Sequence, residues 1–427
     1  MDLTPWRTSR DFRLLVVAGT VFYLGGMVTY VAVPYQLFTL TGSNFAVGAM
    51  GLVELFPLVV FGLWGGAIAD HYDRRSVLVV TGTCQVLLTG GLLLNARSGH
   101  PQVWALYAIG ALLAAAQSVQ RPSREALVPR VVRHDELPAA VALSTFGMQI
   151  GWVAGPALGG LILARAGASW AYGVDVAGLL IATALFAALR PAPQLEETSP
   201  PSVAGVVEGL RYAVGRRDLL GTYLVDIICM FMAMSETIFP ALAQNVFRQP
   251  ALLGLLYSAP MVGSILVTIT SGWVGRVQHH GRAVVLGATG WGVGMGLTGL
   301  APSVWVALPC LILAGASDMV SGLFRGIIWN QTIPDDKRGR LAGIEMLSYS
   351  IGPLGGQIRA GLTADRFGVR QAFVSGGVLC VVGVALTATW LRSFWGYDAR
   401  TDEHAVRERT LRERRQALDD AATEPAV

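Results

Sequence analysis

Residues 45–75 read FAVGAMGLVELFPLVVFGLWGGAIADHYDRR. From Phe45 to Ala69 the run holds a single charge, Glu54. A helix needs roughly 20 apolar residues to cross the hydrocarbon of a bilayer, and this run supplies them. It stops at Asp70-His71-Tyr72-Asp73-Arg74-Arg75. An apolar helix ending in a doubly basic loop is a membrane span whose loop stays on the arginine-rich, cytoplasmic side.

The pattern recurs along the chain. Of 427 residues, 53% are hydrophobic and only 14% are charged, against about 25% charged in an ordinary soluble chain. Hydropathy and turn signals predict spans at 12–40, 45–69, 76–96, 102–120, 138–164, 168–189, 219–247, 251–275, 283–301, 303–325, 341–364 and 369–392. The fold class is therefore an all-α membrane protein with twelve transmembrane helices. Basic residues gather in alternate loops: Arg74 and Arg75; Arg124, Arg130 and Arg133; Arg190, Arg211, Arg216 and Arg217; Arg276 and Arg282; Lys337, Arg338 and Arg340. That places both termini in the cytoplasm, with Arg366 and Arg370 as exceptions. The net charge of +4 follows from this topology and not from nucleic-acid binding. Arg7, Arg10 and Arg13 precede a first span too long for a cleaved leader. Cys84, Cys229, Cys310 and Cys380 lie in apolar runs without metal spacing.

The chain divides into a six-helix bundle over 1–190, a Pro-rich cytoplasmic linker over 191–218, a second bundle over 219–392, and a charged cytoplasmic tail over 393–427, read as a solvated helix or a disordered end. The linker from Gly205 to Gly215 could form a surface helix. The halves repeat. At an offset of 206, Pro34 matches Pro240, Gly48 matches Gly254 and Gly66 matches Gly272. Gly155-Pro156 matches Gly352-Pro353, each followed by a glycine pair, Gly159-Gly160 and Gly355-Gly356. Two pseudo-symmetric bundles with substrate near the midplane are one plan of secondary transporters.

The loop Gly66…Asp70…Arg74-Arg75 resembles the signature of the major facilitator superfamily. The resemblance implies a conformational latch of Gly66, Asp70, Arg74 and Arg75. Asp70 would sit at the N-terminus of span 11 near Leu341, and the arginines would bridge to an acid such as Glu125. Arg276 replaces the aspartate in the second half. Gly151, Gly155, Pro156, Gly159 and Gly160 in span 5 are similar to the Gly-Pro face of drug and metabolite exporters; read without that family, they are a helix-packing face. The arginine that many proton-coupled drug exporters carry inside span 4 has no counterpart, since Arg121 sits near its cytoplasmic end. Thr41 to Gly48, Glu54 to Pro57 and the Asp70 loop resemble the enterobactin-exporter and macrolide-efflux branch. The resemblance implies the major facilitator fold, a small-molecule substrate, no cofactor, and a monomer in the bacterial plasma membrane in contact with its lipids.

Charges at mid-bilayer cost about 2.5–3.5 kcal/mol even on lenient scales, so buried ones mark function or structural pairs. Asp226 in span 7 shares a helical stripe with Tyr223, Met230, Met234 and Thr237. Either that stripe lines a cavity for a lipophilic substrate with Asp226 exchanging protons, or it faces the core. Glu54 and Glu236 are proton-coupling candidates or structural hydrogen-bond partners. Asp318 and Arg325 are two turns apart on span 10, too far for an expected ion pair, and are read as facing the cavity. Asp175 is buried in span 6. Glu345 lies near the cytoplasmic surface, and Arg359 either attracts an anion or pairs with Glu236. Gly294, Gly296 and Gly299 match a dinucleotide pattern but lie inside a span, where they pack helices. No nucleophile–base or metal constellation points to an enzyme. The leading expectation is a proton-coupled exporter of a siderophore-like metabolite or of lipophilic drugs; a lysophospholipid flippase and a non-transporting sensor are the alternatives.

Overall fold

The first expected span forms with both ends set by local chemistry. Ser9 accepts a hydrogen bond from the Phe12 amide at its start, and Gly42 ends it in a left-handed conformation (φ 67°). The computed structural model describes residues 2–191, 211–334 and 338–423; the side chains of 62–71, 338–340, 342–347, 412 and 415–423 lie outside that description. Gly66, Asp70, Glu345 and most of the expected linker helix therefore fall outside the described residues or side chains.

Twelve long helices run along the described residues: α1 (Arg10–Thr41), α2 (Asn44–His71), α3 (Arg74–Arg97), α4 (Val103–Glu125), α5 (Leu137–Ala166) and α6 (Ala168–Ala187), then α7 (Arg217–Ala233), α8 (Leu253–Ile269), α9 (His280–Leu300), α10 (Val304–Thr332), α11 (Arg338–Phe367) and α12 (Val369–Trp390). A further helix, α13 (Glu403–Thr423), lies in the tail. There is no strand among the described residues. By length and composition, eleven described helical stretches can cross a membrane; of the twelve long helices, α11 alone is outside that set.

The packing repeats as the sequence does. In the first six helices α1 lies on α5 and α6, α2 on α4, and α3 on α4 and α6; in the last six, α7 lies on α11 and α12, α8 on α10, and α9 on α10 and α12. Even the turns repeat: Gly167 between α5 and α6 (φ 79°) and Gly368 between α11 and α12 (φ 96°) both adopt a backbone that residues with a Cβ avoid.

The two bundles meet along α2–α11 and α5–α8. Here the matched glycines find their use. A Cβ on Gly48 would lie 3.2 Å from the Ile358 Cα, and one on Gly51 2.8 Å from the Leu354 carbonyl oxygen. Across the other seam, Gly254 rests on the Pro156 and Ala157 carbonyls and faces Gly160, with no room for a side chain on either. Helices in lipid associate by close backbone approach, because the tails are as apolar as the side chains.

At the end of the seam opposite the termini, hereafter the distal end, Asp365 of α11 caps α2. Its carboxylate accepts from the Ser43 hydroxyl at 2.7 Å and from the Asn44 and Phe45 amides at 2.8 and 2.9 Å. An acid at a helix N-terminus satisfies free N–H groups and opposes the helix dipole.

Two expectations need correction. Span 7 is not one helix from 219 to 247: α7 stops at Ala233 and a 3₁₀ turn, Glu236–Ile238, follows. Pro240 lacks an N–H and its ring crowds the carbonyl four residues before it, which favours a break; Pro34, at the matched place, stays inside α1. Nor is the whole tail solvated. Phe394 is 0% exposed, wedged between Gly221 of α7 and Gly281 of α9. Tyr397 stacks near His280 and reaches Gln331, and the Ala399 amide donates to the Gln278 carbonyl. The Arg400 guanidinium beside Asp398 holds that carboxyl well below the usual carboxylate range. The charges after 398 dominated the sequence pattern, but the aromatic residues before them dock.

Phe394→Ala is expected to empty this socket and cost about 3 kcal/mol, read as a lower midpoint of thermal unfolding in detergent. Gly48→Leu is expected to part the α2–α11 seam. Disulfide trapping between cysteines placed at Ser43 and Asp365 should then fall several-fold, with the protein still inserted.

Candidate substrate and proton site

Polar side chains inside the second bundle are not scattered. α7 brings Thr222, Tyr223 and Asp226; α10 brings Asp318, Arg325 and Trp329; α11 brings Ser348 and Tyr349. Asp226 (1% exposed) forms an ion pair with Arg325 (4% exposed) and accepts the Ser348 hydroxyl at 2.6 Å. The Arg325 guanidinium lies 5.9 Å from the Tyr349 ring centroid, and its Nε has no hydrogen-bond partner. Beneath it the Trp329 indole donates to the Thr222 hydroxyl at 2.8 Å and stacks on Tyr223 at 5.3 Å.

Asp226 and Arg325 thus neutralise each other. Removing one partner of a buried pair leaves an uncompensated charge, typically a loss of about 3–5 kcal/mol. Sequence spacing offered Arg325 only Asp318, two turns away and too far for a pair, because it measures distance along one helix. Asp318 is half-buried and makes no hydrogen bond among the described residues. Met230 and Met234 lie against the glycine face of α11, at Gly352 and Gly356.

A second polar group straddles the bundles. Where α7 breaks, Glu236 is buried and accepts the Tyr30 hydroxyl of α1 at 2.9 Å. Tyr257 of α8 sits edge-on to Tyr30 at 5.7 Å and to Phe239 at 5.0 Å, and its buried hydroxyl has no partner. Arg359 does not reach Glu236; it makes long contacts of 3.4 Å to Ser235 and to the Ala372 carbonyl. Glu54 of α2 is half-buried with no hydrogen bond or ion pair among the described residues. Asp175 accepts the Thr29 hydroxyl within the first bundle and packs under Gly25. The Tyr30–Glu236 contact was missed in the sequence: 206 is the repeat offset, which marks two residues as matched positions and not as neighbours in space.

The remaining expected residues hold helices together. Arg74 donates to the Ala126 carbonyl at 2.8 Å, and Arg75 to the Ala187 carbonyl at 2.5 Å. Glu125, expected as their acid, is paired with Arg121 at 2.9 Å. In α5, Gly151, Gly155 and Gly159 seat α1 at Tyr23, Met27 and Val28. Pro156 lends its carbonyl to the seam, and Gly160 faces the other bundle at Gly254.

A family model described as transmembrane secretion effector matches residues 2–414. Enterobactin exporter EntS of Shigella boydii serotype 18 is 28% identical over 388 residues, 90% of this chain and 93% of its own. The protein of the same name from Escherichia coli O139:H28 matches equally. Among solved structures, a bacterial homologue of the human lysosomal transporter Spinster, inward-facing and unoccupied, aligns with a TM-score of 0.73 at 15% identity, covering 92% of this chain and 98% of that one. A POT family transporter in complex with 5-aminolevulinic acid aligns with a TM-score of 0.73 at 10% identity, covering 90% and 97%. The relatives are transporters and not enzymes, and the repeated six-helix bundles are those of the superfamily. This chain is a multi-pass membrane protein that belongs to the transmembrane secretion effector family of the major facilitator transporters.

Proposed function

We propose that this protein is a proton-driven exporter of a small organic molecule, working by alternating access between its two bundles. The observation that carries the reading is Glu236. It is a buried acid at the seam, held by a hydroxyl of the opposite bundle. The arginine-rich loops orient the termini to the cytoplasm, so the closed distal end faces outward. Parting the bundles there breaks the Tyr30–Glu236 bond and wets the carboxyl, which then takes a proton from outside. Closing the seam shuts the carboxyl off from the outside, and the proton leaves when the cytoplasmic side opens to it. Glu54 and Asp318, without partners among the described residues, are further carriers or substrate contacts. Asp226 is the fixed counter-charge of Arg325. Similarity to the enterobactin exporters favours a siderophore-like metabolite as substrate.

The driving force is adequate. One proton moving through about 100 mV releases about 2.3 kcal/mol, and a pH unit adds about 1.4. Together they support roughly 500-fold accumulation of a neutral solute per proton.

In inside-out vesicles with an acidic lumen, the wild type is expected to accumulate substrate from a siderophore and drug panel, and a protonophore should abolish this. Glu236→Gln should cut proton-driven accumulation at least tenfold and leave exchange of substrate across the vesicle membrane intact. Accumulation that ignores both the pH gradient and Glu236→Gln would refute proton coupling. Transport of lysophospholipid, or of nothing, would favour the flippase or sensor alternatives.

Asp226→Asn is expected to lower the yield of folded protein, because Arg325 is left unpaired. The double change Asp226→Asn with Arg325→Gln should recover most of it. A well-folded single variant that loses only proton dependence would instead make Asp226 a carrier.

A further inference from the structure

The internal repeat permits a residue-by-residue comparison of the two halves, and among the described residues it exposes a difference in charge pairing. Gly155 packs on Leu24 and Met27, as its counterpart Gly352 packs on Ile227 and Met230. Gly159 packs on Val28 and Val31, as Gly356 packs on Phe231 and Met234. These contacts lay α1 on α7 with Tyr23 at the place of Asp226. They lay α5 on α11 with Gly151 at the place of Ser348 and Trp152 at that of Tyr349. On the fourth helix of each half stands an arginine that reaches the first helix: Arg325 to Asp226, and Arg124 to Tyr23.

The second half pairs its arginine with a carboxylate, and among the described residues the first half forms no such ion pair. Arg124 donates to the Tyr23 hydroxyl and lies over aromatic faces, 4.5 Å from the Tyr23 centroid and 5.2 Å from that of Phe22. Trp152 adds a third ring, edge-on to Tyr23 at 6.4 Å. No carboxylate forms an ion pair with Arg124 among the described residues. A guanidinium has five N–H donors, and one is committed here. Rings hold the cation in place without cancelling its charge.

The stripe of α1 that carries Tyr23 reaches the seam between the bundles. Tyr23, Met27 and Tyr30 form one stripe of α1, and Tyr30 touches Glu236 of the other bundle. Tyr23 lies two turns nearer the termini on that stripe, and Arg124 is in the last turn of α4 at the same end. An exporter loads its substrate from that side.

We propose that Arg124, set by Tyr23, Phe22 and Trp152, is the anion-recognising group of the substrate path, taking the carboxylate or other acidic group of an organic anion. The acid that the second half carries in its own chain is supplied in the first half by the transported molecule. This deepens the export reading and rests on it for the word transported; the binding site itself does not.

The test uses the full chain in phosphatidylcholine nanodiscs, titrated calorimetrically with 2-naphthoate and with the uncharged 2-naphthamide. Wild type is expected to prefer the carboxylate at least tenfold. Arg124→Gln should erase the preference. Tyr23→Asp, which recreates the pair of the second half, should do the same with an unfolding midpoint at or above that of wild type. Arg124→Lys should keep part of the preference. Tyr23→Phe, which keeps the cation and loses only the hydroxyl, should keep most of it, and it carries the test if Tyr23→Asp fails to fold. A wild type without preference, or a Tyr23→Asp protein that keeps it, overturns the assignment. The same titrations with phosphatidylglycerol in the disc separate the other source of anions. If Arg124→Gln changes the response to that lipid and leaves naphthoate binding untouched, the site takes headgroups and the proposal is wrong. Carboxylate preference in a protein that transports nothing would sink the export reading alone. Active transport with unaltered binding in Arg124→Gln would sink this inference alone.

Discussion

Backbone contact between the two bundles is the constraint on which the rest of the structure depends. At Gly160 and Gly254, and at Gly48 and Gly51 against α11, main chain meets main chain with no side chain between. In water such a seam would be one contribution among many. In lipid there is no hydrophobic drive to bring helices together, so close approach and its dispersion contacts carry the association. Contacts of this kind are lost over a fraction of an ångström. In the described structure the seam is shut at both of these lines of contact. The polar bonds along it, Asp365 on the start of α2 and Tyr30 on Glu236, sit where parting would expose them to water.

Charge follows a different logic from packing. Inside the membrane a lone ion is costly, so each buried ion needs a partner or a purpose. Asp226 and Arg325 answer one another, with Ser348 completing the set. Glu236 is tied across the seam, Asp175 is tied within its bundle, and Arg124 is tied to aromatic rings and a hydroxyl. The repeat keeps its glycines in both halves while its polar residues diverge. The glycines are constrained by geometry that symmetry doubles; the polar positions are constrained only by the charge balance of the half in which they stand.

The tail shows how a charged sequence can hide a docking element. Phe394 and Tyr397 tie α7, α9 and α10 together at the end where the termini lie. They do so from a segment whose composition reads as solvated. Two aromatic residues in glycine sockets outweigh the charges beside them, because the charges need only stay in water and are free to do so.

Spans, their number and the two-bundle plan were legible in the sequence. Each rests on a property of contiguous residues: apolar length against bilayer thickness, arginines in alternate loops, and glycines and prolines repeated at a fixed offset. Among the buried acids, Asp175, Asp226 and Glu236 were legible too, since a charge in an apolar run is conspicuous wherever it points; Glu136 and Asp218, at helix starts, were not. Nor were the partners of the legible acids. Arg325 was weighed against Asp318 on its own helix, yet it pairs with Asp226, 99 residues away on a neighbouring helix. The break after Ala233 was not legible either, since Pro34, at the place matched to Pro240, sits inside an unbroken helix. Sequence by itself determined what must lie in the membrane and that it is built twice, because solvation and repetition act along the chain. Tertiary structure alone decided which charges cancel, which remain, and which glycines touch across the seam, because those depend on distances between helices that no local pattern records.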